Sequence, residues 1–208
     1  MALAKYHEKR DFKVTPEPEG SGKKNGSSKE LSFVVQKHQA SHLHYDFRLE
    51  WNGVLLSWAI PKGPSLDPSI KRLAMAVEDH PVEYGGFEGA IPEGQYGGGT
   101  VMVWDRGTWT PEEPDVDASM QRGEIKFTLH GSKLKGSWVL VRTKGFGNSN
   151  RSSWLLIKHK DRYASTADVV TEKPRSVLSK RLMKGIAAYA GGDVAKAAQA
   201  DPLQQGEI

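Results

Sequence analysis

The chain has no cysteine among its 208 residues. That removes disulfides, thiolate metal sites and a thiol nucleophile, so any metal must be held by nitrogen and oxygen ligands. It also has no apolar run approaching the ~18–20 residues needed to cross a bilayer, and no apolar N-terminal signal core. No Gly-rich phosphate loop, dinucleotide fingerprint, Gly-x-Ser-x-Gly elbow or helical His-Glu-x-x-His occurs. Helical periodicity is scarce. What remains is a mildly basic chain of net charge +4, with 38% hydrophobic residues and six tryptophans, enough to build a core. The basic excess admits an acidic partner such as nucleic acid without requiring one.

Residues 1–30 are polar and lack apolar period. Lys13 to Lys29 reads as a mobile arm, preceded by Tyr6–Phe12, whose aromatics could dock on the body. From Leu31 to about Tyr163 the pattern is that of short strands. Phe33–Val35, the alternating His42–Glu50, Val54–Ile60 and Leu73–Val77 come first. Thr100–Trp104 and Thr108–Thr110 flank Asp105-Arg106-Gly107 as a hairpin turn. Ile125–Leu129, Leu134–Thr143 and Ser153–His159 follow. Asn52-Gly53 is a strong hairpin signal. Such a series predicts a mainly β chain with few short helices, folded as an antiparallel β-barrel or sandwich. The divisions are an arm over 1–30, a barrel over 31–165 and a C-terminal helix and linker over 166–208. The helices expected are Asp117–Arg122 and Ser176–Ala190, the latter ended by Gly191-Gly192.

The stretch from His42 to Glu50 alternates without a break. Leu43, Tyr45, Phe47 and Leu49 fall on one face, and His42, His44, Asp46, Arg48 and Glu50 on the other. Residues along such a row are roughly 6–7 Å apart, close enough for two side chains to share one ion. With His38 just upstream, the row gives His-x5-His-x-Asp. Two imidazoles and a carboxylate leave coordination positions open for chemistry. Mn²⁺, Fe²⁺ and Zn²⁺ all suit this donor set, and a phosphate substrate favours Mn²⁺. The same residues would also serve as a row of solvated histidines, and His42 is the least secure of them. Arg48, Lys62 and Arg72 are candidates for gripping a phosphate. His80, between Asp79 and Pro81 and near Tyr84, is a candidate general acid.

The run Gln36–Glu50 resembles the signature of the 3'-phosphoesterase domain of bacterial DNA ligase D. The likeness continues through Trp58–Ser65, Glu78–Tyr84, Phe87–Pro92 and Trp154–Lys158, and through Tyr6–Phe12 and Thr15–Pro18 of the arm. It implies a compact barrel with its active site in a crescent on one side. It implies manganese-dependent healing of DNA 3' ends, with Zn²⁺ or Co²⁺ as other metals. A terminal ribonucleoside would be removed first, then the 3'-phosphate. By motif, His38, His44 and Asp46 would hold the metal, and Arg48, Lys62, Arg72, His80 and Tyr84 would contact the phosphate. Arg10, Asp11, Glu17, Gln36, Glu78 and Asp79 would support them. The partners implied are a primer–template with a 3'-ribonucleotide or 3'-phosphate end, ligase and polymerase modules, and a Ku-type end-binding protein. The setting implied is the cytoplasmic nucleoid. Whether the chain is free-standing or one module of a ligase stays open. Two rivals remain from the residues themselves: a non-catalytic DNA-end or partner-binding barrel with a structural metal, and an iron oxygenase on a cupin-like barrel.

Overall fold

The computed structural model describes residues 2–21, 30–143 and 152–203. Nine strands run through it: β1 (Leu31–Gln39), β2 (Leu43–Trp51), β3 (Val54–Ile60), β4 (Lys71–Pro81), β5 (Gly89–Ile91), β6 (Gly99–Pro111), β7 (Glu124–Gly131), β8 (Lys135–Arg142) and β9 (Ser153–Lys158). The order β1-β2-β3-β4-β9-β8-β7-β6 closes on itself through an antiparallel β1–β6 pairing, and β5 adds to the free edge of β6. Closure pairs every strand edge of the eight-stranded barrel. Alternation then fills it. Phe47, Leu49, Trp58, Trp104, Phe127 and Trp138 point inward and are essentially inaccessible. Burying side chains of this kind contributes roughly 1.5–3 kcal/mol each. The β2–β3 hairpin turns on Asn52 and Gly53, both at positive φ (50° and 79°), as a tight primed turn demands.

Residues 105–107 do not form the turn expected from Asp-Arg-Gly. They lie within the unbroken thirteen-residue strand β6. The Asp105 carboxylate accepts from the backbone N–H groups of Ser132, Lys133 and Leu134 at 2.8–3.1 Å, so it caps the β7–β8 turn instead. Gly107 is there for space, because a Cβ would lie 2.1 Å from the His130 carbonyl oxygen.

Five short helices occur among the described residues: α1 (Ala4–Glu8), α2 (Val116–Arg122), α3 (Val169–Glu172), α4 (Met183–Ala190) and α5 (Val194–Ala198). The helix expected over 176–190 begins only at Met183. Ser176 Oγ accepts from Leu178 and Ser179 N–H, and Lys180 takes a φ of 65°, so the chain before α4 turns rather than spirals. The Asp201 carboxylate caps α4 from a distance, accepting from Met183 and Lys184 N–H. The segment after Gly191-Gly192 has the composition of a linker, yet Ala197 and Ala200 there join the interior cluster, as do Met183, Ile186 and Ala187 of α4. The start of the arm also docks. Tyr6 is fully buried, with its hydroxyl donating to the Pro18 carbonyl at 2.5 Å. Of the segment read as a mobile arm, 22–29 lies outside the described residues. Among the described residues, no helix is long and apolar enough to cross a membrane.

Candidate metal centre

The outward face of β1, β3, β5 and β6 carries a second, smaller core. Tyr6, Val34, Leu55, Tyr84, Phe87, Ile91, Val101 and Val103 pack there beneath the arm and the turn at 82–86. The polar residues beside this core are therefore buried although they lie outside the barrel. Asp46 is 7% exposed, Arg48 2% and His80 4%. They line a cavity of about 450 Å³ together with His38, His44, Arg10, Glu17, Glu78 and Tyr84.

Register explains the metal cluster. His38 of β1 is the direct cross-strand partner of His44 of β2, and Gln36 is the partner of Asp46. Directly paired residues share a face, so both imidazoles and the carboxylate converge. One ligand atom from each of His38, His44 and Asp46 lies within 4.8 Å of the others. Backbone carbonyls set the two rings. His38 Nε2 donates to the Gly97 oxygen at 2.7 Å and His44 Nδ1 to the His42 oxygen at 3.0 Å. That leaves His38 Nδ1 and His44 Nε2 as lone-pair donors, 3.7 and 3.4 Å from Asp46 Oδ2. A carbonyl behind each metal-facing imidazole is the usual support for a ligating histidine, so the donor set fits a divalent ion. His42 lines the rim and contributes its carbonyl.

The charges are consistent with that use. Burial opposes ionisation of Asp46, but Arg48 and the two imidazoles outweigh it and hold the carboxyl well below its ordinary value. Burial likewise opposes a proton on His44, yet the Asp46 carboxylate raises its pKa overall.

Next to the cluster stands an anion cradle. Arg48 Nη2 is 3.3 Å from Asp46 Oδ2. Its Nε donates to Gln36 Oε1 at 2.8 Å and its Nη1 to Ser57 Oγ at 2.9 Å. Gln36 is fixed in turn by donating to the Tyr84 and Phe87 carbonyls. His80 reaches the cavity through a β-bulge. Between the pairs Leu55–His80 and Ser57–Val77, β4 has one residue more than β3. The extra residue re-aims the strand, and Met75, Val77, Glu78 and His80 all line the cavity. Burial first, then the guanidinium groups of Arg48 and Arg10, push the His80 pKa well down, so the ring is neutral. From the arm, Arg10 Nε pairs with Glu17 Oε1 at 2.9 Å, and Tyr84 donates its hydroxyl to the same oxygen at 3.0 Å. Burial and Glu17 together keep Tyr84 protonated.

Arg10, Glu17, Gln36, Arg48, Glu78, His80 and Tyr84 are thus brought together with the metal cluster. Lys62, Arg72, Asp11 and Asp79 are not among the lining residues. Lys62 is exposed, just past β3. Arg72 pairs with Leu156, a core residue, so it belongs to the inward face of β4 and not to the cavity side. Asp11 accepts from Lys13 N–H and shapes the arm. Asp79 is half-buried, and burial raises its pKa. Sequence reasoning missed Ser57, Tyr96 and Gly97. Ser57 sits at the outward parity of β3 and could have been found that way, whereas nothing local marks the Gly97 carbonyl.

A family model described as the DNA ligase D 3'-phosphoesterase domain matches residues 36–142. The multifunctional non-homologous end joining protein LigD of Pseudomonas aeruginosa is 53% identical over 184 residues, which are 87% of this chain and 22% of that protein. The corresponding DNA repair protein LigD of Mycobacterium tuberculosis is 46% identical over 144 residues, 69% of this chain and 18% of its own length. That of Mycolicibacterium smegmatis is 42% identical over 166 residues, 76% and 21%. The chain spans about a fifth of the length of these curated relatives.

Proposed function

The chain belongs to the DNA ligase D 3'-phosphoesterase domain family, and on that premise we propose that it heals DNA 3' ends by metal-dependent phosphoester hydrolysis during bacterial non-homologous end joining. The substrate is a primer–template ending in a 3'-ribonucleotide or a 3'-phosphate. The first step removes the terminal ribonucleoside and leaves a 3'-phosphate, and the second releases phosphate and leaves a 3'-hydroxyl. The working partners are ligase and polymerase modules and a Ku-type end-binding protein, in the cytoplasmic nucleoid.

One observation carries this reading: a nitrogen–oxygen metal cluster and a buried guanidinium share a cavity and meet through the 3.3 Å contact of Asp46 with Arg48. His38, His44 and Asp46 would hold the ion, with Mn²⁺ favoured over Zn²⁺ or Co²⁺ by hard phosphate oxygens and the absence of sulfur. A divalent ion held there supplies Lewis-acid polarisation of a phosphoryl oxygen and a bound water of lowered pKa. Arg48, fixed by Gln36 and Ser57, is aimed before substrate arrives and meets the charge that develops on the phosphoryl group. Arg10 extends the cradle from the arm. His80 is neutral while it faces two guanidinium groups. A phosphate dianion between them offsets their charge, so the ring takes up a proton and passes it to the leaving oxygen. Tyr84, kept protonated, turns its hydroxyl from Glu17 to donate to a phosphate oxygen. The roles of Lys62 and Arg72 fall outside the cavity, on substrate farther from the scissile bond.

The test is a primer–template with either end, incubated with Mn²⁺, Mg²⁺, Zn²⁺, Co²⁺ or chelator, alongside His44→Ala and Asp46→Ala. Metal-dependent shortening or phosphate release, lost in both variants, is expected. Duplex binding without turnover under every metal would overturn the reading in favour of a binding module.

A further inference from the structure

A second groove of about 520 Å³ lies on the same outward face, lined by Ser32, Val34, Arg106, Thr108, Ser132 and Val177. Strand β1 runs from one cavity to the other. His38 lines the metal cavity and Ser32 the second groove, six residues of strand apart or about 20 Å. Bordering this groove is the turn segment 173–181, outside the stretch matched by the family model. Its sequence, Lys-Pro-Arg-Ser-Val-Leu-Ser-Lys-Arg, holds four cations and no carboxylate.

The segment is held on the barrel rather than hung from it. Val177 N–H donates to the Val103 carbonyl at 3.0 Å. Ser176 is 1% exposed and donates to Glu88 Oε2 at 2.6 Å. Lys133 Nζ donates to the Lys173 and Arg175 carbonyls, and Arg175 Nη1 to the Lys180 carbonyl. Lys180 keeps a left-handed φ of 65°, a conformation that costs a non-glycine residue about 1 kcal/mol or more. Arg106, Lys173, Arg175, Lys180 and Arg181 are all exposed. None of the five is ion-paired with a carboxylate among the described residues. The nearby acids are otherwise engaged: Asp105 with three backbone N–H groups, and Glu88 with Val103 N–H and Ser176. Glu172 is the one exposed carboxylate adjoining the segment. Lys133 is crowded enough by burial and by its neighbours Lys37, Lys173 and Lys180 that its pKa falls to about 7, with Asp105 opposing.

We infer that the groove and the 173–181 segment form a second nucleic-acid contact, which holds the phosphate backbone of duplex DNA about six base-pair steps from the 3' end under attack. The inference rests on the proposed substrate only for which end enters the metal cavity. Rigidly presented, unpaired cations lose little entropy on meeting phosphates, and their contacts carry no base information. About 20 Å at about 3.4 Å per base step places the patch on double-stranded DNA. It lies beyond the reach of a dinucleotide.

The test uses the whole chain carrying Arg106→Gln, Lys173→Gln and Arg181→Gln, three side chains without a hydrogen bond among the described residues. Its control is the charge-keeping set Arg106→Lys, Lys173→Arg and Arg181→Lys. Binding to a fluorescent 16-base-pair duplex is measured in chelator, without turnover, across a salt series. The glutamine variant should bind on the order of 10–100-fold more weakly at 0.1 M salt, with the log–log salt slope reduced by about 2–3. The control should bind like the parent, and turnover of a 3'-phosphorylated dinucleotide should be unchanged. Each single glutamine variant should lower the slope by roughly 0.9. Unchanged affinity and slope in the glutamine variants would overturn the inference, as would a parent that binds anionic vesicles but not duplex. Because binding is read without turnover, a parent that hydrolyses no 3' end while showing the expected slopes would sink the phosphoesterase reading and leave this one standing.

Discussion

Arg48 Nη1 lies 3.0 Å from His80 Nδ1, a guanidinium donor facing an imidazole nitrogen. The same nitrogen is 2.9 Å from the Glu78 carbonyl, and His80 Nε2 is 3.4 Å from Arg10 Nη2. A neutral ring with Nδ1–H donating to the Glu78 carbonyl and Nε2 accepting from Arg10 satisfies two of these three contacts. An imidazolium would set donor against guanidinium on both sides. Two guanidinium groups, each also paired with a carboxylate, thus face His80 from both sides, and the protonation of His80 should respond to an anion placed between them.

His80 should remain neutral in the free protein well below pH 6.5, its unfolded value. In the window between its lowered folded pKa and 6.5, the unfolded chain binds the extra proton, so stability rises with pH through that window and levels off above it. Urea unfolding across pH 5–7.5 should show this slope, and His80→Asn should flatten it. An identical slope in the variant would place the acid sensitivity elsewhere. Ring nitrogen shifts should move to the protonated form when phosphate is added, and a ring that stays neutral would remove the acid role.

Arg48→Lys keeps the charge but loses the planar fork that reaches Gln36, Ser57 and the cavity at once. A drop in kcat/KM on the order of 10²–10³ is expected, the scale seen when one oriented donor is removed. Lys62→Ala and Arg72→Ala should leave binding of inorganic phosphate in the cavity unchanged. Equal losses of phosphate binding in all three would contradict the geometry.

His44 carries a raised pKa because Asp46 outweighs its burial. A metal ion must displace that proton, so Mn²⁺ affinity should fall as pH drops through a value above 6.5. Asp46, ionised far below that, adds nothing to the dependence there. His44→Ala should weaken Mn²⁺ binding by more than about 100-fold, beyond the loss expected for a merely supporting partner. Electron paramagnetic resonance titration at pH 6, 7 and 8 measures both, and a flat profile would take His44 out of the centre.

Glu17 joins the arm to the barrel. It accepts from Arg10, Thr15 and Tyr84, and is 5% exposed. Glu17→Ala leaves the buried Arg10 guanidinium with Glu78, at 3.6 Å, as its remaining carboxylate, so a loss of at most about 3–5 kcal/mol, that of a fully broken buried pair, is expected. The arm should detach before the barrel unfolds. Amide exchange at residues 6–18 should quicken while that of β2 and β8 stays slow. Unaltered protection over 6–18 would mean that Tyr6 alone secures the arm.

The alternation from His42 to Glu50 made β2 and its wet face legible, because a period of two leaves no choice of side. His38 was legible only by spacing, and its reason is the cross-strand register with His44. For Arg72, nothing local tells which face of β4 it takes. Parity from Ala74 inward settles that, and the bulge then re-aims Glu78 and His80. Tyr6 docks, as its aromatic neighbours suggested, but Glu17 in the segment read as a mobile arm and Ala197 in the segment read as a linker are single buried anchors in polar or small-residue stretches. Such anchors are too sparse to leave a period. Asp105-Arg106-Gly107 had turn chemistry, but Asp105 caps the distant β7–β8 turn and Gly107 makes room for the His130 carbonyl.

That last case yields a sharp outcome. Gly107 lies inside β6 opposite Gly131 of β7, with the His130 carbonyl where a Cβ would go. A turn glycine tolerates alanine badly because of its positive φ, whereas Gly107 is not among the positive-φ glycines. The obstacle is backbone against backbone, which no rotamer change relieves. Gly107→Ala must push β6 from β7 and loosen the Asp105 cap of the β7–β8 turn. A destabilisation of roughly 3 kcal/mol or more is expected, in the range of the severe steric and network mechanisms. Gly53→Ala has open space around its Cβ and suffers only the positive-φ penalty, so it should lose about 1–2 kcal/mol. Urea midpoints of the two variants decide the matter. If Gly107→Ala proved the milder change, residues 105–107 would be turning as their composition suggests, and the continuous strand β6 would be wrong.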